Sequence, residues 1–459
     1  MSDSLENLLK NISEQIKFEK RRLEELITKF NSDDEDEHAD EDEEKFVISD
    51  IKKADKVNTI PKVNLAFNAG NTSTDINTKE IEKLDTIEYN SPQTEPVISN
   101  TPRKETMNIV GILYSSRRKK NKAKIIECLR YTRIFQELNI IIFTIEGINL
   151  EDGTVKGDLY TKTSNKTTEV PIPSLIYNLI LHSKKSSRTV IRQLRTSSNI
   201  KMINPINSFY QDAIYEILFS LPEARKYLLP FKPLSPANLK DFLNQYKNIA
   251  LIQNRSYRHP QAISLRKNTD SKLFLKIGQS EQIVDEDEVL YIIQKLYRNK
   301  RFNILKGIES LKFNNLPAEY RVYVQRNEFG KWKVTSSVIK NEIFSKGSLY
   351  NNQAKNIDDA LFDIDENIIA KINNSTKNAS LLFTSYLDYF IPNTGCYYID
   401  YLLDKNGKPY LLYIGGVEQS NYLSLSNNKD WDIYLENILS YLYFCLGEIK
   451  QTGSDENVD

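Results

Sequence analysis

The chain has 459 residues, with 62 Lys and Arg against 62 Asp and Glu and only three cysteines. A net charge of zero excludes a uniformly basic nucleic-acid wrapper, and Cys128, Cys396 and Cys445 share no short spacing, so neither a disulfide framework nor a zinc or redox CxxC pair is available. This length is ample for a large core and sets a prior of two to three domains.

The opening MSDSLENLLK has acids before its first apolar residues and no apolar core of a signal peptide. No apolar stretch of about 18 residues occurs, so neither secretion nor a membrane span is expected, and the chain reads as cytoplasmic. From Leu5 the apolar residues run Leu5, Leu9, Ile12, Ile16, Leu23, Leu26 and Phe30, with Glu19 as the one break in alternating steps of four and three. That spacing predicts a coiled-coil helix over residues 1–31, which seeks a protein partner or a second copy because a single stripe cannot bury itself. An amphipathic helix folded back on its own body is the plainer reading. Sedimentation decides between them: the full chain is expected to assemble and a chain starting at Met107 is not. Identical monomers for both, with no partner lost on truncation, would contradict the pairing role.

Next comes SDDEDEHADEDEEK, in which ten of the twelve residues from Asp33 to Glu44 are acidic. Charge at that density repels and favours an extended linker, and the layout lacks the turn glycine and closing Glu of a calcium loop. Residues 32–106 as a whole read as a disordered acidic and polar linker, Asn-, Ser-, Thr- and Pro-rich towards its end.

The globular part is expected to begin at Met107. MNIVGILYS (107 to 115) suits a buried strand, Asn121 to Leu138 has helical spacing, and NIIIFTIEG (139 to 147) is a second buried strand. Strand, helix, strand within about 40 residues predicts a βαβ unit and a parallel sheet. A hairpin excursion from Glu151 to Pro173, a strand at SLIYNL, a helix from Ser187 to Ser198 and the strand MINPI complete a small α/β domain over 107–206. The basic run SSRRKKNKAK (115 to 124) is read as a solvated loop rather than a nucleic-acid site.

Residues 207–449 change in character. A helix from Phe209 to Leu221 and the Pro-punctuated loop LPFKPLSP lead to IALIQN, QAISLRKN and KLFLKIG, three successive strands of an antiparallel sheet. A helix from Asp285 to Tyr297 follows, then the strands FNILKGI, YRVYVQRN and WKVTSSVIK, and a long helix from about Ile357 to Phe390. CYYIDYLLD and KPYLLYIGG flank Asn406-Gly407, a strong hairpin turn, and Trp431 to Leu446 closes the body as a helix before a disordered tail at 450–459. The histidines, His38, His182 and His259, lie too far apart in sequence to suggest a metal cluster, and the 26 tyrosines are explained mostly as amphipathic strand residues.

Three segments, in order and spacing, resemble the YheC/YheD endospore coat-associated family of the ATP-grasp superfamily. EYRVYVQRNEFGKWKVTSSVIK (319 to 340) is similar to its arginine-bearing strand pair with a Q-[KR]-N turn and W-x-V-T. GCYYIDYLLDKNGKPYLLYIGG (395 to 416) is similar to its glycine, I-D, D-x-x-G and terminal strand, and IYNLILHSKKSSRTVIRQL with INPINSFYQD to its Y-N-R segment and following strand. The resemblance covers about 107 to 449. It implies an α/β pre-domain and two α+β subdomains that clamp ATP, activate a carboxylate as an acyl phosphate and pass it to an amine.

Measured against that pattern, both halves of the nucleotide site depart. Where the family has a strand ending in Lys-Pro and a glycine loop, Gln253 stands at the lysine position, Asn254 at the proline, and RSYRHPQ at the loop; no glycine occurs from 158 to 277. Arg255, Arg258 or Lys276 could supply charge but not the close backbone approach that residues without Cβ allow. The family's terminal Glu-x-Asn metal ligands align with Tyr413 and Gly415, while Asp400 and Asp404 remain at matching hairpin positions and Glu418 follows as a displaced candidate. A lone strand aspartate is more often a turn or capping group, and Arg321 suits either an anion contact or a cross-sheet salt bridge.

The expectation is therefore an α/β plus α+β, ATP-grasp-like body carrying an N-terminal coiled coil and a disordered acidic linker. Gln253, Lys276, Arg321, Asp400, Asp404, Tyr413 and Gly415 are vestigial positions, with no catalytic residue, metal or cofactor, and the protein is a structural or interaction component assembled in the cytoplasm or onto the spore. The alternative is an active ATP-dependent carboxylate–amine ligase with relocated phosphate and metal ligands, which would require ATP and magnesium; an adaptor binding nucleotide or peptide without turnover lies between them.

Overall fold

The computed structural model describes residues 109–115, 125–126, 138–181, 185–255, 262–268, 272–277, 280–297, 300–341, 354–361, 364–417 and 428–455. The expected coiled coil, the acidic linker, the basic run at 117–124, the loop from 256 to 261 and Glu418 lie outside them, as does most of the helix expected at 121–138.

The first sheet has the order β4-β3-β2-β1-β5-β6. Its strands are β1 (Ile109–Leu113), β2 (Asn139–Asn149), β3 (Thr154–Tyr160), β4 (Asn165–Pro171), β5 (Leu175–Asn178) and β6 (Lys201–Ile203). β1, β2, β5 and β6 are parallel, as the βαβ reading predicts, and β3 and β4 form the hairpin excursion. α1 (Lys185–Thr196) crosses between β5 and β6, and α2 (Gln211–Ser220) and α3 (Pro222–Arg225) lead out of the domain.

The second sheet, β11-β10-β9-β8-β12-β7, is antiparallel throughout. It consists of β7 (Phe231–Pro233), β8 (Asn248–Gln253), β9 (Ala262–Lys267), β10 (Lys272–Ile277), β11 (Ser280–Asp285) and β12 (Phe302–Lys306). α4 (Pro236–Gln245) and α5 (Glu288–Leu296) cover one face, where Phe242, Leu251, Leu273 and Ile293 join a separate core. α4 starts at the end of the loop expected at 229–236 and fills a stretch to which the sequence reading assigns no element; Ser235 caps it, accepting from the Asn238 amide, and Pro236 sets its first turn. β11 was not expected either, because an edge strand with Ile283 55% exposed lacks a clean apolar alternation.

After the two-residue strands β13 (Lys312–Phe313) and β14 (Leu316–Pro317), the third sheet has the order β16-β15-β17-β18. It is formed by β15 (Glu319–Arg326), β16 (Trp332–Lys340), β17 (Cys396–Leu403) and β18 (Pro409–Gly415). The single long helix expected from 357 to 390 is two helices, α6 (Ile357–Ala360) and α7 (Glu366–Leu387). Asp365 accounts for the restart, accepting from the Asn367 amide as an N-cap. α8 (Asn428–Asp455) extends past both ends of the expected helix and ties the first domain to the third sheet: Lys201 pairs with Glu448 at 2.9 Å, and the Gln325 amide donates to the Tyr434 carbonyl. The largest core runs through one side of the first sheet, α2, the third sheet, α7 and α8.

Candidate functional site

Three of the four strands of the third sheet carry the residues on which a metal–phosphate site would depend, and their register sets what meets what. Arg321 on β15 lies opposite Asp400 on β17, and Asp400 lies opposite Tyr413 on β18. The Arg321 guanidinium donates from Nε to Oδ1 of Asp400 at 2.7 Å and from Nη2 to Oδ2 at 2.8 Å, a bidentate pair with both side chains 1% exposed or less. Of the two readings open for Arg321, the cross-sheet salt bridge is the one realised. A second buried pair adjoins it: Lys340 Nζ lies 2.7 Å from Glu319 Oε2 and 3.4 Å from Asp400 Oδ2. These two cations and two anions pair with one another in the interior, where an unpaired charge would be prohibitive.

The position aligned with the second metal ligand is filled by a ring. A side chain on Gly415 would collide with Tyr398, its register partner on β17, whose ring occupies the space a Cβ would need. The Tyr398 ring stacks on Tyr413 with centroids 6.1 Å apart and carries the Arg321 guanidinium on its face at 4.1 Å. Tyr413 itself is 1% exposed. Between Tyr413 and Gly415 the strand is clamped from outside: Gln211 on α2 donates to the Ile414 carbonyl at 2.9 Å and accepts from the Ile414 amide at 3.0 Å. Tyr215, one turn further along α2, bonds the Leu411 carbonyl.

The phosphate half also ends on α2. Asn254 is buried; its side-chain oxygen accepts from the Asp212 amide and from Asn303 Nδ2, each at 3.0 Å, and its carbonyl accepts from the Gln211 amide at 2.9 Å. Burial holds the nearby Asp212 carboxyl above its ordinary range, against hydrogen bonds that favour its charged form. Arg255, a candidate charge donor, is engaged by Tyr210, donating to the phenol at 2.8 Å with its guanidinium 4.5 Å from that ring. Gln253 is buried, and strand alternation directs it to the side of Ile249 and Leu251, the helix-covered side. Lys276, next to the core residue Leu275 on β10, falls on the opposite side.

Arg321, Asp400, Tyr413 and Gly415 thus come together, whereas Gln253 and Lys276 stand on another sheet and point to opposite sides of it. Asp404 is separate again: its carboxylate accepts from the amides of Asn406 and Lys408, capping a turn in which Gly407 takes φ +76°. The turn-group reading of a lone aspartate therefore holds for Asp404 and fails for Asp400. Glu319, Lys340 and Tyr398 were missed; Glu319 faces Lys340 because an irregularity between Tyr323 and Val324 shifts the register of the 319–340 hairpin by one residue, which no turn signal in the sequence announces.

Magnesium beside a triphosphate needs carboxylate or amide oxygens open to the ion. Here both oxygens of Asp400 are engaged by cations, position 413 offers a buried phenol, and position 415 offers no side chain. These residues do not fit the ion. Among the described residues no group of three or more His, Cys, Asp or Glu is placed to hold a metal, and no helix is long and apolar enough to cross a membrane.

A family model described as "YheC/D like ATP-grasp" matches residues 199–444. The chain is 24% identical over 292 residues to the endospore coat-associated protein YheD of Bacillus subtilis, a match covering 59% of this chain and 62% of that protein's length. Among solved structures, D-alanyl-alanine synthetase A of Vibrio cholerae superposes with a TM-score of 0.44 at 12% identity, covering 75% of this chain and 98% of the other. VanG D-Ala:D-Ser ligase of Enterococcus faecalis does so with a TM-score of 0.45 at 11% identity, covering 74% and 100%.

Proposed function

Because the chain belongs to the YheC/D-like ATP-grasp family, we propose that it is a non-catalytic member, kept as a structural or interaction component and associated with the spore coat. The observation that carries this reading is the Tyr398 ring lying where a side chain at position 415 would go, beside an Asp400 whose oxygens are bound by Arg321 and Lys340. An ATP-grasp ligase must hold a metal–triphosphate there and direct cations at the transferred phosphoryl. In this chain the cation of that corner, Arg321, is spent on a carboxylate instead. Losing one ligand lowers a rate; filling the ligand space with a packed ring removes the place where an ion would sit.

The coat association of the B. subtilis relative supports placing this protein in a spore-surface assembly, with residues 1–31 as its docking helix and the grasp body as its scaffold. The reading predicts no phosphate release from ATP above the spontaneous rate, with or without an added carboxylate and amine. Turnover that disappears in Asp400→Ala would instead favour a ligase with relocated ligands.

A further inference from the structure

The third sheet has a second face. Arg321 and Asp400 belong to one side; Tyr320 and Val322, on either side of Arg321 along β15, are directed to the other by strand alternation. There a cavity of about 370 Å³ opens between β15, β16, α6, α7 and the first turn of α8. We propose that this cavity binds a small hydroxylated amine, at a site separate from the grasp cleft. The inference rests on the cavity alone, whichever way the nucleotide question falls.

The floor is preformed. Val322 and Ile357 are buried at its base beside the hydroxyl-bearing residues Ser336, Ser337, Thr376 and Tyr320, and the Tyr320 hydroxyl is fixed by its partners. That hydroxyl donates to Asn373 Oδ1 at 2.6 Å and lies 2.7 Å from Ser337 Oγ, which supplies the other bond. Burial, with the charge of Asp358 adding to it, pushes the phenol up to about 12, so it stays a neutral donor and the chain of bonds keeps its direction. With its oxygen occupied by the phenol, Asn373 has its NH₂ left for a ligand.

The rim sets the class of ligand. Asp358, Asp430 and Lys377 line the cavity, and among the described residues none of them has an ion-pair partner. Two carboxylates against one ammonium favour a cation and disfavour a nucleotide or other anion. The amides of Asn356 and Asn373 and the Lys377 ammonium supply partners for hydroxyls. The volume lies near the small end of the range for ligand cavities, so a monosaccharide-sized molecule fits better than a polymer.

Glucosamine is a suitable probe, with glucose as the same hydroxyl set without the ammonium and putrescine as ammonium without hydroxyls. Titration calorimetry on the full chain is expected to show saturable glucosamine binding at least about tenfold tighter than either comparison, a difference of about 1.4 kcal/mol. Asp358→Asn and Asp430→Asn should each weaken it by about tenfold without moving the unfolding midpoint, since Asp358 is exposed and Asp430 half-buried and neither is paired. Equal binding of glucose, equal binding of putrescine, no saturable heat with glucosamine, or unchanged affinity in both variants would each overturn the proposal.

Discussion

Arg321→Leu is expected to destabilise the globular body by about 3 to 5 kcal/mol, because it strands a carboxylate in the interior. Asp400 is 0% exposed and takes both of its short hydrogen bonds from that guanidinium, so water cannot replace what is removed. Lys340, 3.4 Å from Asp400 Oδ2, offsets part of the loss and places the effect toward the lower end of the range. The distinguishing measurement is a double-mutant cycle followed by denaturant unfolding. Arg321→Leu with Asp400→Leu should be less destabilised than the sum of the two single changes, since removing both partners leaves no unpaired charge while Lys340 keeps Glu319 at 2.7 Å. Simple additivity, or a single-variant effect below about 1 kcal/mol, would mean that the pair is not the buried, mutually dependent unit described here.

Tyr398→Ala should be comparably damaging, by about 3 to 5 kcal/mol, as for other large aromatic residues truncated in a core. The ring makes three contacts at once: the face of Tyr413, the Arg321 guanidinium and the bare backbone of Gly415. Its removal opens space at the position aligned with a metal ligand but supplies no ligand, because 413 and 415 remain a phenol and a hydrogen. The variant should therefore be less stable and no better at binding ATP with magnesium than the parent chain. A gain of magnesium-dependent binding in Tyr398→Ala would identify the ring as a plug over a working site rather than a replacement for one.

Much of the fold is legible in the sequence, and the exceptions have physical causes. Buried strands such as NIIIF and IALIQ announce themselves by their apolar runs, and Asn406-Gly407 by its turn chemistry. β11 does not, because an edge strand with a solvent-facing isoleucine has no reason to alternate. The break between α6 and α7 is written in one residue, Asp365, whose capping role is local and easily absorbed into a longer apolar period. At the site, sequence singles out the positions that depart from the pattern it resembles but not what those residues meet in the fold. That Arg321 meets Asp400 is a matter of strand register, that Tyr398 fills the Gly415 space is a matter of packing across two strands, and that Gln211 clamps Ile414 joins residues 203 apart in the chain. None of these relations has a sequence spacing, so the residue types alone leave them invisible.

Nucleotide calorimetry with and without magnesium tests the closed metal corner most directly. With Asp400 held by Arg321 and Lys340 and the Gly415 space filled by Tyr398, ATP should give no magnesium-dependent heat, and Asp400→Ala should change stability without changing the titration. Micromolar binding that tightens with magnesium and is lost in Asp400→Ala would contradict this account, because about 8 kcal/mol of binding free energy requires an organised phosphate and metal site.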